Sequence, residues 1–255
     1  MADFEVPAEF QRSALALSEA DATQESGVFL IRNACASIGV EDLADRDVLD
    51  VGCGTKFTQA FLNYRIPIRR YVGVDVYRSM IEFLRDNVRD PRFEYHHVDV
   101  RNELYNPDAP PMTEDTDLGV GDQTFDVIWL FSVFTHLSPA DYRVMLKVLR
   151  RYARPDGKLL FTVFIDELTS GGFGFMDKLN RALVEADPGR WADLGRTERT
   201  RVVKPFVDFD PEHPLRCALY SREYASELIV GTGWSPVALL PPNQYAQHQF
   251  ICAPI

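Results

Sequence analysis

The sequence predicts an α/β protein built on a mainly parallel sheet, and two observations carry that prediction. Between residues 47 and 165, short apolar runs that end in small or acidic residues alternate with stretches of helical period. The composition is that of an ordinary globular chain, 46% hydrophobic and 25% charged over 255 residues, which sets aside disordered, collagen-like and coiled-coil architectures. The length accommodates either one large α/β domain with insertions or two small domains.

The elements follow in order. The first 46 residues read as a helical segment, with Val28, Ile31, Cys35 and Ile38 on one apolar face. Asp47 to Val51 is a short buried-type strand running into Gly52-Cys53-Gly54, and a helix is expected from there to about Tyr64. Tyr71 to Asp75 is the second strand. Tyr77, Met80, Ile81, Leu84 and Val88 share one face of the helix after it. Phe93 to Val98 forms a third strand, ending at Asp99, and Thr124 to Phe131 a fourth. Ser138 is placed to cap the next helix, with Pro139 at its first position and Asp141 completing a capping box. Tyr142, Met145, Leu146 and Leu149 form that helix's buried stripe. Pro155-Asp156-Gly157 reads as a turn before a fifth strand, Lys158 to Ile165. Ser221 to Gly231 looks helical, and Pro236–Leu240 and Gln247–Cys252 look like two final strands.

Two stretches break the rhythm. Asn102 to Gln123 is rich in proline and acid and reads as an extended loop. The segment from about 166 to 217 opens with Gly171-Gly172-Phe173-Gly174 and also carries Phe175, Trp191, Phe206 and Phe209. Long insertions of this kind act as lids or binding loops, and these aromatics suit either a small core of their own or an acceptor pocket.

Charge and cysteines narrow the partners. Lys plus Arg number 27 against 38 Asp plus Glu, a net charge of −11. No basic cluster is present to displace counterions from a polyanion, so nucleic acid is not expected as a partner. Cys35, Cys53, Cys217 and Cys252 are scattered and form neither a zinc motif nor a disulfide framework. No apolar run is long enough to span a bilayer, and Met1 to Glu5 lacks the start of a secretory signal. A reducing, cytoplasmic location is expected. The oligomeric state is left open, a homodimer included.

The chemistry concentrates at strand ends. A strand entering Gly52-Cys53-Gly54 and then a helix lets a ligand approach the backbone and meet unpaired N–H groups. Asp75, ending the second strand, sits where a ribose diol is bound in nucleotide-binding α/β folds. It also suits the role of helix cap, and the two roles are compatible. Asp50 and Asp99 complete a ladder of three acidic strand ends.

These residues carry a resemblance. Asp50-Val51-Gly52-Cys53-Gly54-Thr55, Gly73-Val74-Asp75, His97-Val98-Asp99, Phe125-Asp126-Val127-Ile128 and Arg154-Pro155-Asp156-Gly157-Lys158-Leu159 resemble the successive motifs of class I S-adenosylmethionine-dependent methyltransferases. Phe131 to Leu137 further resembles a bacterial subgroup acting on small molecules. The resemblance implies a Rossmann-like three-layer α/β/α sandwich over residues 47–255, with a seven-stranded sheet and a C-terminal antiparallel hairpin. It implies S-adenosyl-L-methionine as cofactor, S-adenosyl-L-homocysteine as product and a small-molecule acceptor. Gly52, Cys53 and Gly54 would receive the methionine part, and Asp50 would organise that loop and the cofactor's ammonium group. Asp75, with Val76 beside it, would accept the ribose hydroxyls. Asp99 and the Val100 N–H would meet the adenine, and carbonyls near Leu130 and Phe131 would face the cofactor's amino group. Lys56 departs from the pattern, since the family usually has a third glycine there. A lysine at that position would crowd the cofactor, turn outward or reach its carboxylate.

Methyl transfer is an in-line displacement in which the protein aligns the acceptor, excludes water and removes the acceptor's proton. His136 follows the fourth strand at the edge where ligands of open α/β folds bind, and its imidazole titrates in the right range for a general base. Its competing reading is a histidine that hydrogen-bonds its own loop. A hydroxyl oxygen is the expected acceptor atom, with nitrogen as the alternative and a binding protein without turnover as a third reading. His248 is a second candidate facing the acceptor. His96 and His97, adjacent in a strand, point to opposite faces and cannot chelate together. No acid-acid-amide metal site is recognisable, so metal-independent chemistry is expected.

Overall fold

The computed structural model describes residues 3–11, 20–102, 105–167, 203–208, 214, 215, 217–242 and 247–255. Strands β1 (Leu43–Val51), β2 (Ile68–Asp75), β3 (Phe93–His97), β4 (Phe125–Leu130) and β5 (Ala153–Asp166) pair in parallel in the order β3-β2-β1-β4-β5. Strand β9 (His248–Pro254) runs antiparallel along β5 from Leu159 to Val163, and β8 (Trp234–Leu240) pairs antiparallel with β9. This gives the seven strands and C-terminal hairpin expected. Two further strands extend the sheet: β7 (Ala218–Ser221) pairs in parallel with the last residues of β5, Phe164 to Asp166, and β6 (Phe206–Asp208) pairs antiparallel with β7. The long β5 therefore gives one edge to two partners in succession.

Alternation along the strands builds two cores. Val48, Tyr71, Val127, Trp129 and Leu160 face a layer made by α1 (Ala20–Ile38), α2 (Lys56–Asn63) and α3 (Arg78–Asn87). Leu49, Val51, Ile128, Leu130 and Phe161 face α4 (Pro139–Arg150) and α5 (Arg222–Glu227) on the other side. Ser138 caps α4 as the sequence indicates, its Oγ accepting the Asp141 N–H at 3.1 Å. Trp234 anchors the C-terminal hairpin by donating from Nε1 to the Leu146 carbonyl of α4 at 2.9 Å.

Several boundaries differ from expectation. The N-terminal helical segment ends at Ile38, not residue 46, because β1 already begins at Leu43. Between Leu43 and Asp47 the register slips against β2, and this bulge carries Ala44 and Asp45 outward. Pro155-Asp156-Gly157 does not end a strand; it is a bulge within β5, between the pairs Phe125–Ala153 and Val127–Lys158. The 166–217 insertion begins inside β5 and supplies β6 to the sheet. Phe173, Phe175, Trp191, Phe209 and the 171–174 glycines lie outside the described residues, as does His213.

Candidate cofactor and acceptor site

The loops after β1, β2, β3 and β4 all open on one edge of the sheet. At its opposite edge an ion network clamps the strand starts. Asp47 accepts from Arg69 Nε and Arg154 Nη2, both at 2.7 Å, and from Arg70 at 3.3 Å. Asp126 pairs with Arg69 at 2.8 Å and Arg154 at 2.6 Å. Asp126 and Arg154 belong to the sequence motifs, yet they work at the amino edge, away from the loops.

At the carboxyl edge, Gly52 takes a φ of +74° and Gly54 one of +51°. A Cβ on Gly52 would stand 2.5 Å from Val133 Cγ2, so the first loop closes directly against the loop after β4. The N–H groups of Gly52 and Cys53 both reach the Val74 carbonyl, at 2.8 and 3.1 Å. Gly73 has no room for a side chain because Cys53 Sγ and Tyr95 lie 2.9 Å from where its Cβ would be. Asp75 ties the first two loops together: Oδ2 accepts the Gly54 N–H and Oδ1 the Tyr77 N–H, each at 3.0 Å. The Tyr77 bond is the helix-entry role the sequence allowed.

Asp50 is placed differently from expectation. Strand alternation turns its side chain beneath the loop into the α1–α3 core, where it is 1% exposed and accepts the Tyr71 hydroxyl. Its carboxylate thus faces the core and not solvent. Burial pushes its carboxyl up to about 7, against the pull of the Tyr71 hydroxyl and the indole of Trp129, its register partner on β4.

Asp99 is exposed beyond β3, where Asn106 Nδ2 donates to it at 3.1 Å; Val100 is buried beside it. Val76 is partly exposed and its carbonyl meets His97 Nε2 at 3.2 Å. His96 instead pairs with Glu94 at 2.6 Å. Leu130 ends β4 fully buried, and the Phe131 ring stands edge-on over Phe57 of α2 at 5.0 Å. Lys56 opens α2, and its stem lies on α1: a Cβ on Gly27 would come within 3.2 Å of Lys56 Cγ. The third-glycine position is thus occupied by a lysine that packs sideways. Thr55, before α2, has helical φ/ψ and its side chain makes no cap bond; its hydroxyl donates to the Phe10 carbonyl at 3.3 Å.

Beyond these loops lies the acceptor side. Ser132 adopts a φ of +60°, donates its N–H to Thr162 Oγ1 at 2.8 Å and receives the Gln247 amide at 2.9 Å. His136 closes a 3₁₀ turn, Phe134–His136, and its Nδ1 lies 3.2 Å from the Leu215 carbonyl. His248 is fully buried and does not open onto the acceptor side; its Nε2 meets Glu167 at 3.1 Å. Burial holds His248 below the usual imidazole range although Glu167 opposes that shift. Glu167 also accepts two bonds from Arg222, at 2.9 and 2.7 Å. Glu167 and Arg222 escape sequence reasoning, since neither belongs to a motif and only the β5–β7 pairing brings them together.

Residues 49–161 match the family described as a methyltransferase domain. This segment is similar to methyltransferase domains. The chain is 26% identical over 129 residues to a malonyl-[acyl-carrier protein] O-methyltransferase of Acetivibrio thermocellus, a match covering 43% of either chain. It is also 26% identical over 220 residues to a trans-aconitate 2-methyltransferase of Azoarcus sp., covering 80% of this chain and 74% of that one. The chain thus spans under half of the first relative and about three-quarters of the second. Among solved structures, a glycopeptide N-methyltransferase bound to S-adenosyl-L-homocysteine shares the fold, with a TM-score of 0.54, 13% identity and coverage of 97% of this chain and 95% of that one. Among the described residues, no helix is long and apolar enough to cross a membrane.

Proposed function

We propose that the protein methylates a hydroxyl oxygen of a small molecule, with His136 as general base. The carbonyl of Leu215 can only accept, so in the neutral ring the 3.2 Å contact favours the tautomer with its proton on Nδ1. That single contact carries the proposal, because it holds the ring in the tautomer a base requires. The cofactor fits the residues present. The uncapped start of α2 and the open space over Gly54 suit the amino-acid part, Asp75 suits the ribose diol, and exposed Asp99 suits the adenine amino group. When bound, S-adenosyl-L-methionine supplies an electrophilic methyl on a sulfonium. Asp75 keeps loops 1 and 2 in register, the β4 loop closes on Gly52 to exclude water, and His136 Nε2 takes the acceptor's proton.

A carboxylate acceptor is the second reading. It is favoured by the half-exposed Arg222 at the same edge and by the relatives named for malonyl and trans-aconitate acids. A carboxylate needs no base. Single-turnover methylation of alcohol, amine and carboxylate acceptors across pH separates the readings. With an alcohol, His136→Ala is expected to slow methylation by ~10²–10⁴-fold and to flatten the limb that rises with pH. A variant keeping both the rate and the limb removes His136 from the mechanism.

A further inference from the structure

The methyltransferase match begins at residue 49, yet the N-terminal segment Asp3–Gln11 reaches the cofactor loops. It runs along α2 from its end to its start. At the far end the Phe4 N–H donates to Asn63 Oδ1 at 2.7 Å, and the Asn63 amide returns a bond to the Phe4 carbonyl at 3.2 Å. At the near end the Thr55 hydroxyl donates to the Phe10 carbonyl. A threonine directly before a helix ordinarily spends its hydroxyl on the helix's own N–H groups. Here the Oγ accepts no helix N–H, and the hydroxyl proton is donated to the N-terminal segment.

The Phe10 ring is 7% exposed and stands edge-on to Tyr77, 5.8 Å between centroids. Tyr77 in turn stacks on Tyr105, beyond β3, at 6.1 Å. Its N–H is held by Asp75, whose other oxygen holds Gly54. Phe10, Thr55, Tyr77 and Asp75 therefore form one continuous chain from the N-terminal segment through loops 1 and 2.

We propose that Phe10 is a positioning residue for the cofactor, and that docking of the segment Asp3–Gln11 and cofactor binding are coupled through Thr55 and Tyr77. The proposal rests on loops 1 and 2 being the cofactor site. A docked segment withdraws freedom from both loops before the ligand arrives, so less ordering is left for binding to supply. Coupling of this kind is reciprocal: the ligand must hold the segment as firmly as the segment favours the ligand.

The test is calorimetric titration of S-adenosyl-L-homocysteine into the full-length wild type, Phe10→Ala and Phe10→Leu. Phe10→Ala is expected to weaken binding by ~5–150-fold, the ordinary range for coupled sites. Phe10→Leu keeps the apolar volume and is expected to recover most of that loss. In the wild type, saturating S-adenosyl-L-homocysteine is expected to slow hydrogen exchange at residues 4–11 by a comparable factor. Unchanged affinity in a folded Phe10→Ala overturns the proposal, even where its unfolding midpoint falls. Should Phe10→Ala fail to fold, the wild-type exchange decides: residues 4–11 exchanging equally fast with and without the ligand overturns it. A wild type that binds no S-adenosyl-L-homocysteine overturns the cofactor reading itself, and this proposal with it.

Discussion

Asp47 and Asp50 lie three residues apart on β1 and live under opposite electrostatic regimes. At the amino edge, burial pushes the Asp47 carboxyl up, but Arg69, Arg70 and Arg154 outweigh it and hold the group below the usual range. At the other end, Asp50 meets one tyrosine hydroxyl and no cation, and burial wins. The same residue type on the same strand therefore clamps the scaffold at one end and resists ionisation at the other. The stability that Asp47 adds is present above the ordinary carboxylate range and is lost as pH falls. The stability associated with protonated Asp50 is present below that range and is lost as pH rises toward about 7. Structural charge is concentrated at one edge of the sheet, and ligand-facing polarity at the other.

Substitutions along this axis sharpen the contrast or break it. The largest effect is expected for Asp75→Ala at the ligand edge. Loss of two charge-assisted bonds at roughly 1.5 kcal/mol each amounts to about a hundredfold in S-adenosyl-L-homocysteine affinity. Equal affinity by calorimetry in a folded variant would remove the ribose assignment. Next comes Asp47→Ala, which removes one carboxylate shared by three partly exposed guanidinium groups, Arg69 and Arg154 still being held by Asp126, and is expected to cost about 2 kcal/mol in urea unfolding, less in high salt. S-adenosyl-L-homocysteine affinity should be unchanged; a parallel loss of affinity would mean that the two edges are not separable. Asp50→Asn keeps an acceptor for Tyr71 and cannot ionise. Between the ordinary carboxylate range and about pH 7 the wild type should lose up to ~1.4 kcal/mol of stability per pH unit that the variant retains. Identical slopes in the two proteins would show that Asp50 does not titrate there. The smallest effect is expected for Lys56→Gly: under ~1 kcal/mol of stability, from helix propensity and the lost stem contact with α1. Its S-adenosyl-L-homocysteine affinity reports whether the ammonium group also reaches the cofactor, in which case it falls.

Much of this arrangement was legible in the chain. The alternation Val48-Leu49-Asp50-Val51 marks a strand buried on both faces, and Ser138-Pro139 marks a helix start; both appear where expected. The bulges were not legible. Ala44 and Asp45 break the apolar pattern that would have announced β1, and Pro155-Asp156-Gly157 has turn chemistry although the chain continues in the same direction. The motif residues were legible as a set, but not by edge: Asp126 and Arg154 looked like their neighbours in the motif pattern and proved to be clamps. The partner of His136 left no trace, because a backbone carbonyl from a residue 79 positions away has no sequence signature. Phe10 was hidden for a similar reason, its contacts with Tyr77 and Thr55 being purely tertiary.

The edge of β5 passes from β9 to β7 after Val163, and Asp166 and Ser221 face each other as register partners. The chain leaves β5 after Asp166 and rejoins the sheet as β6 and β7, which ends opposite Asp166 at Ser221. Such a junction is indifferent to the length of what it carries, since each doubling of a flexible loop costs only ~0.6 kcal/mol in closure. The end of β5 is therefore a grafting point: a foreign segment spliced between Asp166 and Phe206 would leave β6, β7 and the β1–β4 half, with Gly52, Asp75 and Asp99, their own geometry.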